Sequence, residues 1–597
     1  MSYKSLRPVR WGLGISGLLS SVGIALWIFV DKYANLLPSP TSKAGRQLLR
    51  QYQGTTADIF LGFTIAAIAY LAFKILSGRK EYNSATTNTY PRRRESIADF
   101  AKNQPVTLVI MTGYLIAMVA GTTHLYKDLI GWYPSLIENN LLDNFSIRSS
   151  FISETFRRTD FRFFPLAHQD LHILSWFTIH IKVWMIFAGA QLFAIIILAT
   201  RLVERLTGFF PKKAPGLLLS MTLLILFHPS TGNTFFQVIY CERTLVLLSL
   251  AYYHCILEHR ETKSATSFSK ALLIATIGIF TKDIAVILFM TPPALQIGSN
   301  LIKSKFKINS SFLKESTSEV TLLCLIPVFI TCFMYIALIP STYADKGAYS
   351  NPADFTFNAD ARIFALISIL ALKIGKINKK LCELDLLDQI NISAIAYAIA
   401  LGFLAKYDSS DYLTFPVQAI IATNIGWAWA RYQAKRITQK NLVKSTELNL
   451  GAFAALALII VEQFTITPSF GSIVHDMKKN QISTEATYSA LFPIARDLRE
   501  KGDEVNVIIH RSSRLSYHRH LYKVPYDRLV EYYPKTGEYW IKDGHDKGKL
   551  FTPSAGDLAV NIDKEIDILN PIFEGKLYEV LYRHNPTRES GIITRLE

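Results

Sequence analysis

Charged residues are scarce in this sequence, and the scarcity is uneven. Asp, Glu, Lys and Arg make up 19% of the 597 residues, whereas soluble chains carry about a quarter. Half of the residues are apolar, and long apolar runs alternate with short basic clusters. This alternation is typical of a protein that crosses a membrane many times. The net charge of +17 is therefore interpreted as Lys and Arg in cytoplasmic loops, not as a nucleic-acid-binding surface.

Cysteine is also sparse, and its placement argues against two kinds of site. The five cysteines form no CxxC pair, and the last of them is Cys382. Disulfide cross-links and a cysteine-based zinc site are therefore disfavoured. The sequence also lacks a P-loop, a GxSxG motif and an HExxH motif, so ATP-driven transport and serine hydrolase chemistry have no support.

Thirteen apolar segments have a length that predicts a membrane-spanning helix. They are 11–31, 57–77, 106–123, 174–200, 215–229, 240–258, 270–282, 284–300, 319–340, 361–377, 390–405, 414–432 and 449–466. The basic loops between them, together with the basic N-terminus, alternate correctly and mark the cytoplasmic side. The N-terminus is therefore predicted inside and the C-terminus outside.

The order of these segments predicts three parts. Residues 1–105 hold the first two helices and a cytoplasmic loop, and 106–466 form a membrane core with a long outer loop at 124–173. In 467–597 the apolar runs shorten and charge rises, which predicts a small α/β domain outside the membrane, with a docking role favoured over catalysis. The fold class is therefore mainly α: a polytopic transmembrane helical bundle with a C-terminal extramembrane α/β domain. Within that domain, 486–499 is predicted as an amphipathic helix and 505–510 as a buried strand.

The densest polar cluster lies at the end of the loop 124–173. Asp160 is flanked by arginines, Arg162 among them, which keep a carboxylate ionised and oriented. Such a carboxylate can act as a general base, and a surface ion pair that only positions the loop is the alternative. His168 and Asp170 follow, and their spacing gives only weak support for a metal site.

Two charged dipeptides, Glu242-Arg243 and Lys282-Asp283, lie at the outer ends of predicted helices. A charge at membrane depth costs roughly 2.5–3.5 kcal/mol, so such residues pair or line a cavity. Adjacent residues on a helix point in different directions, which predicts partners elsewhere: Glu242 with Lys282, or Arg243 with Asp283. The predicted topology puts Asp160 and both dipeptides at one depth on the outer face, where cations suit a lipid-linked phosphate.

The outer loop 341–360 mixes aromatic and polar residues, Tyr343 and Tyr349 among them. Loops that bind sugars have this composition, and so does an interfacial aromatic belt. Both interpretations remain open.

Together these features resemble the GT-C superfamily of glycosyltransferases, which use polyprenyl-phosphate-linked sugars on the outer side of the membrane. The segment Asp160–Leu166 (DFRFFPL) and the two dipeptides resemble motifs of bacterial transferases that build envelope polysaccharides or glycoproteins. The resemblance covers about 106–466. In many members the key acid follows the first helix almost directly as part of an acidic pair, whereas Asp160 lies late in its loop. The alternative bases are Asp128, Asp170 and Asp283.

The resemblance implies an inverting, single displacement by a hexosyl or pentosyl transferase. Asp160 would deprotonate an acceptor hydroxyl, which attacks the anomeric carbon of the donor sugar. Arg243, Lys282 and Arg162 would stabilise the leaving lipid phosphate. The supporting or acceptor-side candidates are Glu242, Asp283, His168, Asp170, Tyr343 and Tyr349. No cofactor is certain, and a divalent cation is compatible.

The resemblance further implies the partners and the location. The donor is a polyprenyl-phosphate sugar, and the acceptor is a glycan, a lipid or a protein; membrane lipids surround the bundle. The location is the bacterial inner membrane, with the C-terminal domain in the periplasm. The main alternative is a secondary transporter or a flippase of lipid-linked glycans, for which inverted repeats are expected but not found. A third interpretation is a non-catalytic membrane scaffold.

Overall fold

In the computed structural model, apolar runs of the sequence form helices in the described part of the chain up to residue 466. The structure describes residues 7–82, 100, 102–126, 129–130, 161–208, 216–308, 312, 315–345, 354–379, 382–440, 448–563, 578–584 and 590–597. The chain divides into two compact units. The first consists of Met1–Leu115, Phe145–Ile173 and Phe187–Gly471, and the second of Ile116–Asn144, Leu174–Ile186 and Ser472–Glu597.

Helices dominate the described chain before residue 466. They are α1 (Arg7–Lys32), α2 (Lys43–Tyr82), α3 (Pro105–Val119), α4 (Gln169–Ser175), α5 (Ile181–Thr207), α6 (Leu217–Leu226), α7 (Pro229–Phe235), α8 (Glu242–Thr262), α9 (Ala265–Gly278), α10 (Ala285–Lys303), α11 (Thr317–Ala344), α12 (Ala361–Asn378), α13 (Leu386–Leu404), α14 (Phe415–Lys440) and α15 (Leu450–Thr465). A π-helical turn, Met334–Leu338, interrupts the regular winding of α11.

Six helices of the described chain are long and apolar enough to cross a membrane: α1, α2, α5, α10, α11 and α13. The count becomes seven if α15 and the following α16 (Phe470–Glu500) form one bent span. Each of the thirteen predicted segments overlaps a helix, but several of these helices are short or interrupted. The segment 215–229, for example, ends α6 and starts α7 at Pro229. The membrane-helix character is supported, while thirteen crossings and the sidedness stay predictions.

Side-chain caps fix where several helices begin. Asp360 accepts a 2.9 Å hydrogen bond from the Ile363 amide at the start of α12, and Asn449 caps α15 in the same way. His228 caps α7, where Pro229 occupies the first position, at which no intrahelical amide bond is lost. These capping residues therefore determine where the three helices begin, just before the apolar runs that form them.

One cluster of four charged or titratable side chains is buried among the helices of the first unit. Arg362 of α12 donates hydrogen bonds of 2.5 and 2.7 Å to the Glu462 carboxylate of α15, and a third of 2.9 Å to the Leu224 carbonyl. His228 lies 3.3 Å from the Asp360 carboxylate. Because these contacts join α6, α12 and α15, the buried charges fix the packing of helices whose sequences look uniformly apolar.

Two short strands hold two loops of the first unit together. β1 (Phe357–Asn358) pairs in parallel with β2 (Tyr407–Asp408). The Phe357 ring stacks on the Tyr407 ring at 4.4 Å. A 3₁₀ turn, Tyr412–Thr414, follows β2 and is capped by Asp411. The pairing therefore fixes the position of the loop that carries Asp411 and Tyr412.

The second unit contains a six-stranded sheet. Its elements after α16 are β3 (Asn506–His510), α17 (Arg511–Leu521), β4 (Arg528–Tyr533), β5 (Glu538–Gly544), β6 (Leu558–Asn561), β7 (Tyr578–Arg583) and β8 (Ile592–Leu596). The strand order is β5-β4-β3-β6-β8-β7. β3 is parallel to both of its neighbours, and the remaining pairs are antiparallel.

Successive side chains of β3, a central strand of the sheet, point to opposite faces and contribute to a hydrophobic core on each face. Val507 and Ile509 face α16 and α17, while Ile508 joins a cluster on the opposite side. Leu125 and Ile130 belong to the helix-side core, so the beginning of the segment predicted as an outer loop packs within this unit. The predicted helix at 486–499 and strand at 505–510 are both present.

Asp543 gives the second unit a pH-dependent contribution to stability. The Tyr526 hydroxyl donates a 2.8 Å hydrogen bond to Asp543, and this bond lowers the pKa of the Asp543 carboxyl below its ordinary value. A lowered folded-state pKa stabilises the fold above the ordinary value of about 4, and the contribution is lost as pH falls through the folded-state pKa. We expect Tyr526→Phe to be less stable than wild type at neutral pH, with the difference shrinking in acid. Thermal unfolding of the whole chain between about pH 7 and about pH 3 measures this; a difference that is constant with pH would contradict it.

Candidate functional site

The link between α9 and α10 carries one of the two charged dipeptides. Gly278 ends α9, and the Phe289 ring of α10 lies 2.1 Å from the place where a Cβ atom of residue 278 would be. Only glycine allows this close approach without displacing the ring. The Leu166 amide donates a 3.0 Å hydrogen bond to the Phe280 carbonyl. The link is thereby joined to the segment around 161–168, which follows Asp160 in the chain.

Lys282 forms a buried ion pair with Glu242, which lies in the first turn of α8. The Lys282 Nζ atom is 2.6 Å from Oε1 of Glu242, and the two side chains are 7% and 1% exposed. The ammonium group also lies 5.9 Å from the ring centroids of both Phe164 and Tyr412. Of the two pairings that the sequence predicts, this is the one found. Because the pair is shielded from water, the attraction between its two charges is screened less than that of an exposed pair.

Arg162 and Asp283 form a second, more accessible ion pair. The guanidinium donates hydrogen bonds of 3.1 and 3.0 Å to the two carboxylate oxygens. The Arg162 side chain is 32% exposed, and its guanidinium lies 4.8 Å from the Phe164 ring centroid. Two cations, Arg162 and Lys282, therefore lie near the Phe164 ring, and each of them already forms an ion pair with a carboxylate.

Arg243 is completely buried, and it does not pair with Asp283. Its Nε and Nη2 atoms donate to the carbonyls of Tyr240 and Val238, at 2.9 and 2.7 Å. Nη1 donates to the Gln191 side chain at 2.5 Å, and Nη2 lies 3.2 Å from the Asp170 carboxylate. All three guanidinium nitrogens have partners within the protein, so Arg243 anchors the turn before α8 to α4 and α5.

Replacing Arg243 with lysine tests this anchoring role. Lysine cannot reproduce the fork of donors, so carbonyls and Asp170 lose partners in a buried site; we expect a stability loss of about 2–4 kcal/mol. Thermal unfolding in detergent measures it. Arg201→Lys, at an exposed position on α5, is the matched control and should change stability by less than about 0.5 kcal/mol. Equal effects of the two substitutions would show that the buried fork is dispensable.

Aromatic and carboxylate groups complete the surroundings of the Lys282–Glu242 pair. The Tyr240 and Tyr412 rings stack 3.7 Å apart with an interplanar angle of 14°. Burial raises the pKa of the adjacent Asp411 carboxyl, and the nearby carboxylates of Glu242 and Asp408 raise it further. A carboxyl with a raised pKa next to an ion pair suits hydrogen bonding or proton exchange with a hydroxyl.

Tyr397 of α13 contributes a buried hydroxyl to the same neighbourhood. It is fully buried, and Glu242 and Lys282 lie within electrostatic reach of it. Its hydroxyl has no hydrogen-bond partner within the part of the chain that the structure describes. An unpaired buried hydroxyl costs about 1–3 kcal/mol, a cost that an oxygen-rich ligand would remove.

The other predicted site residues have different surroundings or fall outside the described chain. The Tyr343 hydroxyl donates to the Pro38 carbonyl, and the ring packs with Val30 near the end of α1. His168 is buried in a left-handed conformation, and its ring meets the Phe164 ring edge-on at 6.2 Å. Three predicted residues lie outside the described residues: Asp128, Asp160 and Tyr349.

No group of three or more His, Cys, Asp or Glu side chains that could hold a metal ion is found among the described residues. Asp170, one of the two weak candidates from the sequence, accepts a hydrogen bond from the Thr244 hydroxyl in addition to its contact with Arg243. The divalent cation stays a prediction.

Gln191 and Tyr397 are among the polar residues of this site that sequence reasoning missed. Gln191 lies within an apolar run and bridges Arg243 and Thr244. A single amide inside a predicted span was an available signal, since such groups need partners at membrane depth. Tyr397 looks like an ordinary residue of an apolar helix, and nothing in the local sequence distinguishes it.

No protein-family model matches this chain, and a search of curated proteins finds no match either. The resemblance to GT-C enzymes therefore rests on the residues and their order alone.

Proposed function

We propose that this chain is a membrane glycosyltransferase that moves a sugar from a polyprenyl-phosphate donor to an acceptor hydroxyl on the outer face of a bacterial inner membrane. The observation that carries the proposal is the convergence of two ion pairs, Lys282–Glu242 and Arg162–Asp283, on the single ring of Phe164. Guanidinium and ammonium groups are the usual protein partners of phosphate. Arg162, the more exposed of the two, would meet the donor phosphate first.

The proposed reaction is a single displacement. The acceptor oxygen forms a bond to the anomeric carbon, the bond from that carbon to the phosphate oxygen breaks, and its electron pair leaves with the polyprenyl phosphate. Asp160 accepts the proton of the acceptor hydroxyl. Lys282 and Arg162 stabilise the charge that develops on the leaving phosphate. Arg243, whose donors are occupied within the protein, is assigned a positioning role instead of the donor contact expected from the sequence.

Three further groups support a sugar ligand at this site. The stacked Tyr240 and Tyr412 rings offer an aromatic wall. The Tyr397 hydroxyl, unpaired within the described chain, can donate to a sugar or phosphate oxygen. Asp411, with its raised pKa, can exchange hydrogen bonds with sugar hydroxyls.

A transporter is the second candidate, and the buried Arg362–Glu462 and His228–Asp360 contacts are the observation that favours it. Transporters use paired charges at membrane depth for ion coupling. We prefer the enzyme because Asp360 also caps α12 and Arg362 also binds the Leu224 carbonyl. Both contacts give these charges a structural reason to be present.

The identity of the base is tested with purified protein and a panel of synthetic polyprenyl-phosphate sugars. We expect wild type to consume one donor and folded Asp160→Asn to consume none. Wild-type turnover by Asp160→Asn would move the base to Asp170 or Asp283, which the matching Asn variants would then distinguish.

A further inference from the structure

A segment at the end of α10 exposes apolar and basic side chains together. Residues 302–308 have the sequence IKSKFKI, with three lysines and no acidic residue. Ile302, Phe306 and Ile308 are 66%, 75% and 71% exposed, and all three lysines are exposed as well. This segment is termed the α10 tail. Its apolar side chains take no part in the core of the first unit.

The backbone of the α10 tail is fixed by the way in which the helix ends. The Phe306 amide donates a 2.8 Å hydrogen bond to the Leu301 carbonyl, and the Lys305 amide donates a 3.0 Å bond to the Ile302 carbonyl. This is the Schellman pattern, in which glycine usually occupies the left-handed position. Here Lys305 and Phe306 have φ angles of 52° and 61°. Because bulky residues rarely adopt this conformation, the Phe306 ring is held in its exposed position against backbone strain.

Two of the three lysines in the α10 tail are not offset by a carboxylate. Lys303 lies 2.7 Å from Glu383 in an exposed ion pair. Lys305 and Lys307 form no ion pair with any residue that the structure describes, including Glu315, the next acidic residue in the chain. The helix dipole favours lysines at a C-terminus, but it gives no reason for large apolar side chains exposed among them. The α10 tail therefore combines surplus positive charge with exposed apolar surface.

The length of α10 places the tail at a membrane boundary. The helix has 19 residues and is one of those long and apolar enough to cross a membrane. At about 1.5 Å per residue it spans about 28 Å, close to the roughly 30 Å of a hydrocarbon core. It begins shortly after Lys282 and Asp283, so the tail lies at the opposite end of α10 from the candidate transfer site. A crossing helix of this length brings the tail to the headgroups of the other leaflet.

We propose that the α10 tail binds anionic phospholipid headgroups of that leaflet. Aromatic and aliphatic side chains insert at the level of the headgroups, while lysines beside them match the negative surface charge. A soluble protein partner fits less well, because the tail directly follows a membrane-crossing helix and the bilayer surface lies within its reach. This binding surface is separate from the proposed transfer reaction, and neither depends on the other.

The test measures lipid binding by the full-length protein in neutral detergent, with phosphatidylglycerol or phosphatidylcholine added in equal amounts, by native mass spectrometry. We expect wild type to bind phosphatidylglycerol more tightly, and Lys305→Gln/Lys307→Gln to weaken this binding about tenfold or more. Lys263→Gln is the matched control for Lys305→Gln. Lys263 is also an exposed lysine with a left-handed backbone at a helix C-terminus, but its neighbours Thr262 and Ser264 are polar.

Two substitutions of Phe306 test the apolar part of the surface. Asparagine tolerates the left-handed backbone better than phenylalanine, so Phe306→Asn should be as stable as wild type in detergent. We expect it to weaken phosphatidylglycerol binding several-fold, a loss that unfolding then does not explain. Phe306→Trp adds a local fluorophore. Its emission, taken as the difference from wild type in reconstituted bilayers, should be quenched by phosphatidylglycerol that carries bromine on its acyl chains.

Four outcomes would overturn the proposal. Equal affinity of wild type for the two lipids would remove the role of the lysines. Equal weakening by Lys305→Gln and Lys263→Gln would reduce the effect to general charge attraction. Unquenched emission from Phe306→Trp would place the ring outside the bilayer. A dimer that Phe306→Asn dissociates, without any lipid preference, would identify a second copy of the chain as the occupant.

Discussion

Lys282→Gln is expected to lower sugar transfer by about 10²–10³-fold, the usual effect of removing one electrostatic donor from a transition state. The proposed reaction leaves a negative phosphate, and Lys282 is the more deeply buried of the two cations on Phe164. In a shielded site its charge acts more strongly than it would in water. Turnover of the matching polyprenyl-phosphate sugar measures the loss.

A second variant separates this loss from misfolding. Lys282→Gln alone leaves the Glu242 carboxylate buried without its partner, which is itself strongly destabilising. Lys282→Gln/Glu242→Gln removes both charges and keeps two polar side chains of similar size. We expect the double variant to regain most of the wild-type thermal stability and to remain inactive. A double variant that transfers sugar at the wild-type rate would show that the ion pair is structural.

Arg362→Met is expected to cost about 3–5 kcal/mol of stability, the range for breaking a buried ion pair by removing one partner. Glu462 would then be a buried carboxylate without its arginine, and the Leu224 carbonyl would lose a donor. Because these contacts join α6, α12 and α15, their loss should loosen the packing of all three helices. Unfolding by denaturant in detergent measures the change.

Two comparisons make this result specific. Arg362→Met/Glu462→Met replaces the pair by apolar side chains, and such a replacement is often neutral or stabilising, so most of the lost stability should return. Lys303→Gln breaks an ion pair whose side chains are 55% and 76% exposed, and it should cost less than about 1 kcal/mol. A similar loss at both pairs would contradict the importance assigned to burial.

Much of the helical fold follows from apolar run length, and its limits also have physical causes. Each predicted segment overlaps a helix because apolar residues must satisfy their backbone groups internally in a membrane. Run length does not show where a helix breaks: His228 and Pro229 end one helix and start another inside a single apolar stretch. The order of the strands around β3 could not be predicted from the sequence either, because it depends on pairings between segments that are distant in the chain.

The candidate site was predictable in its members and less so in its pairings. Charges in apolar surroundings pointed to Glu242, Arg243, Lys282 and Asp283, because such groups need partners. Which partners they find depends on the path of the chain: Arg243 meets Asp170 and Gln191 instead of Asp283. Arg362 and Glu462 escaped notice because a single charge does not alter the apolar character of a long segment.

The most direct test of the proposed function follows a fluorescent polyprenyl-phosphate sugar in proteoliposomes that contain the purified protein, with lipid, glycan and protein fractions of bacterial membranes as acceptors. A glycosyltransferase predicts release of polyprenyl phosphate together with a glycosylated acceptor, both absent with Lys282→Gln/Glu242→Gln. Movement of the intact, unchanged donor from one leaflet to the other, without any glycosylated product, would contradict the account and identify a flippase.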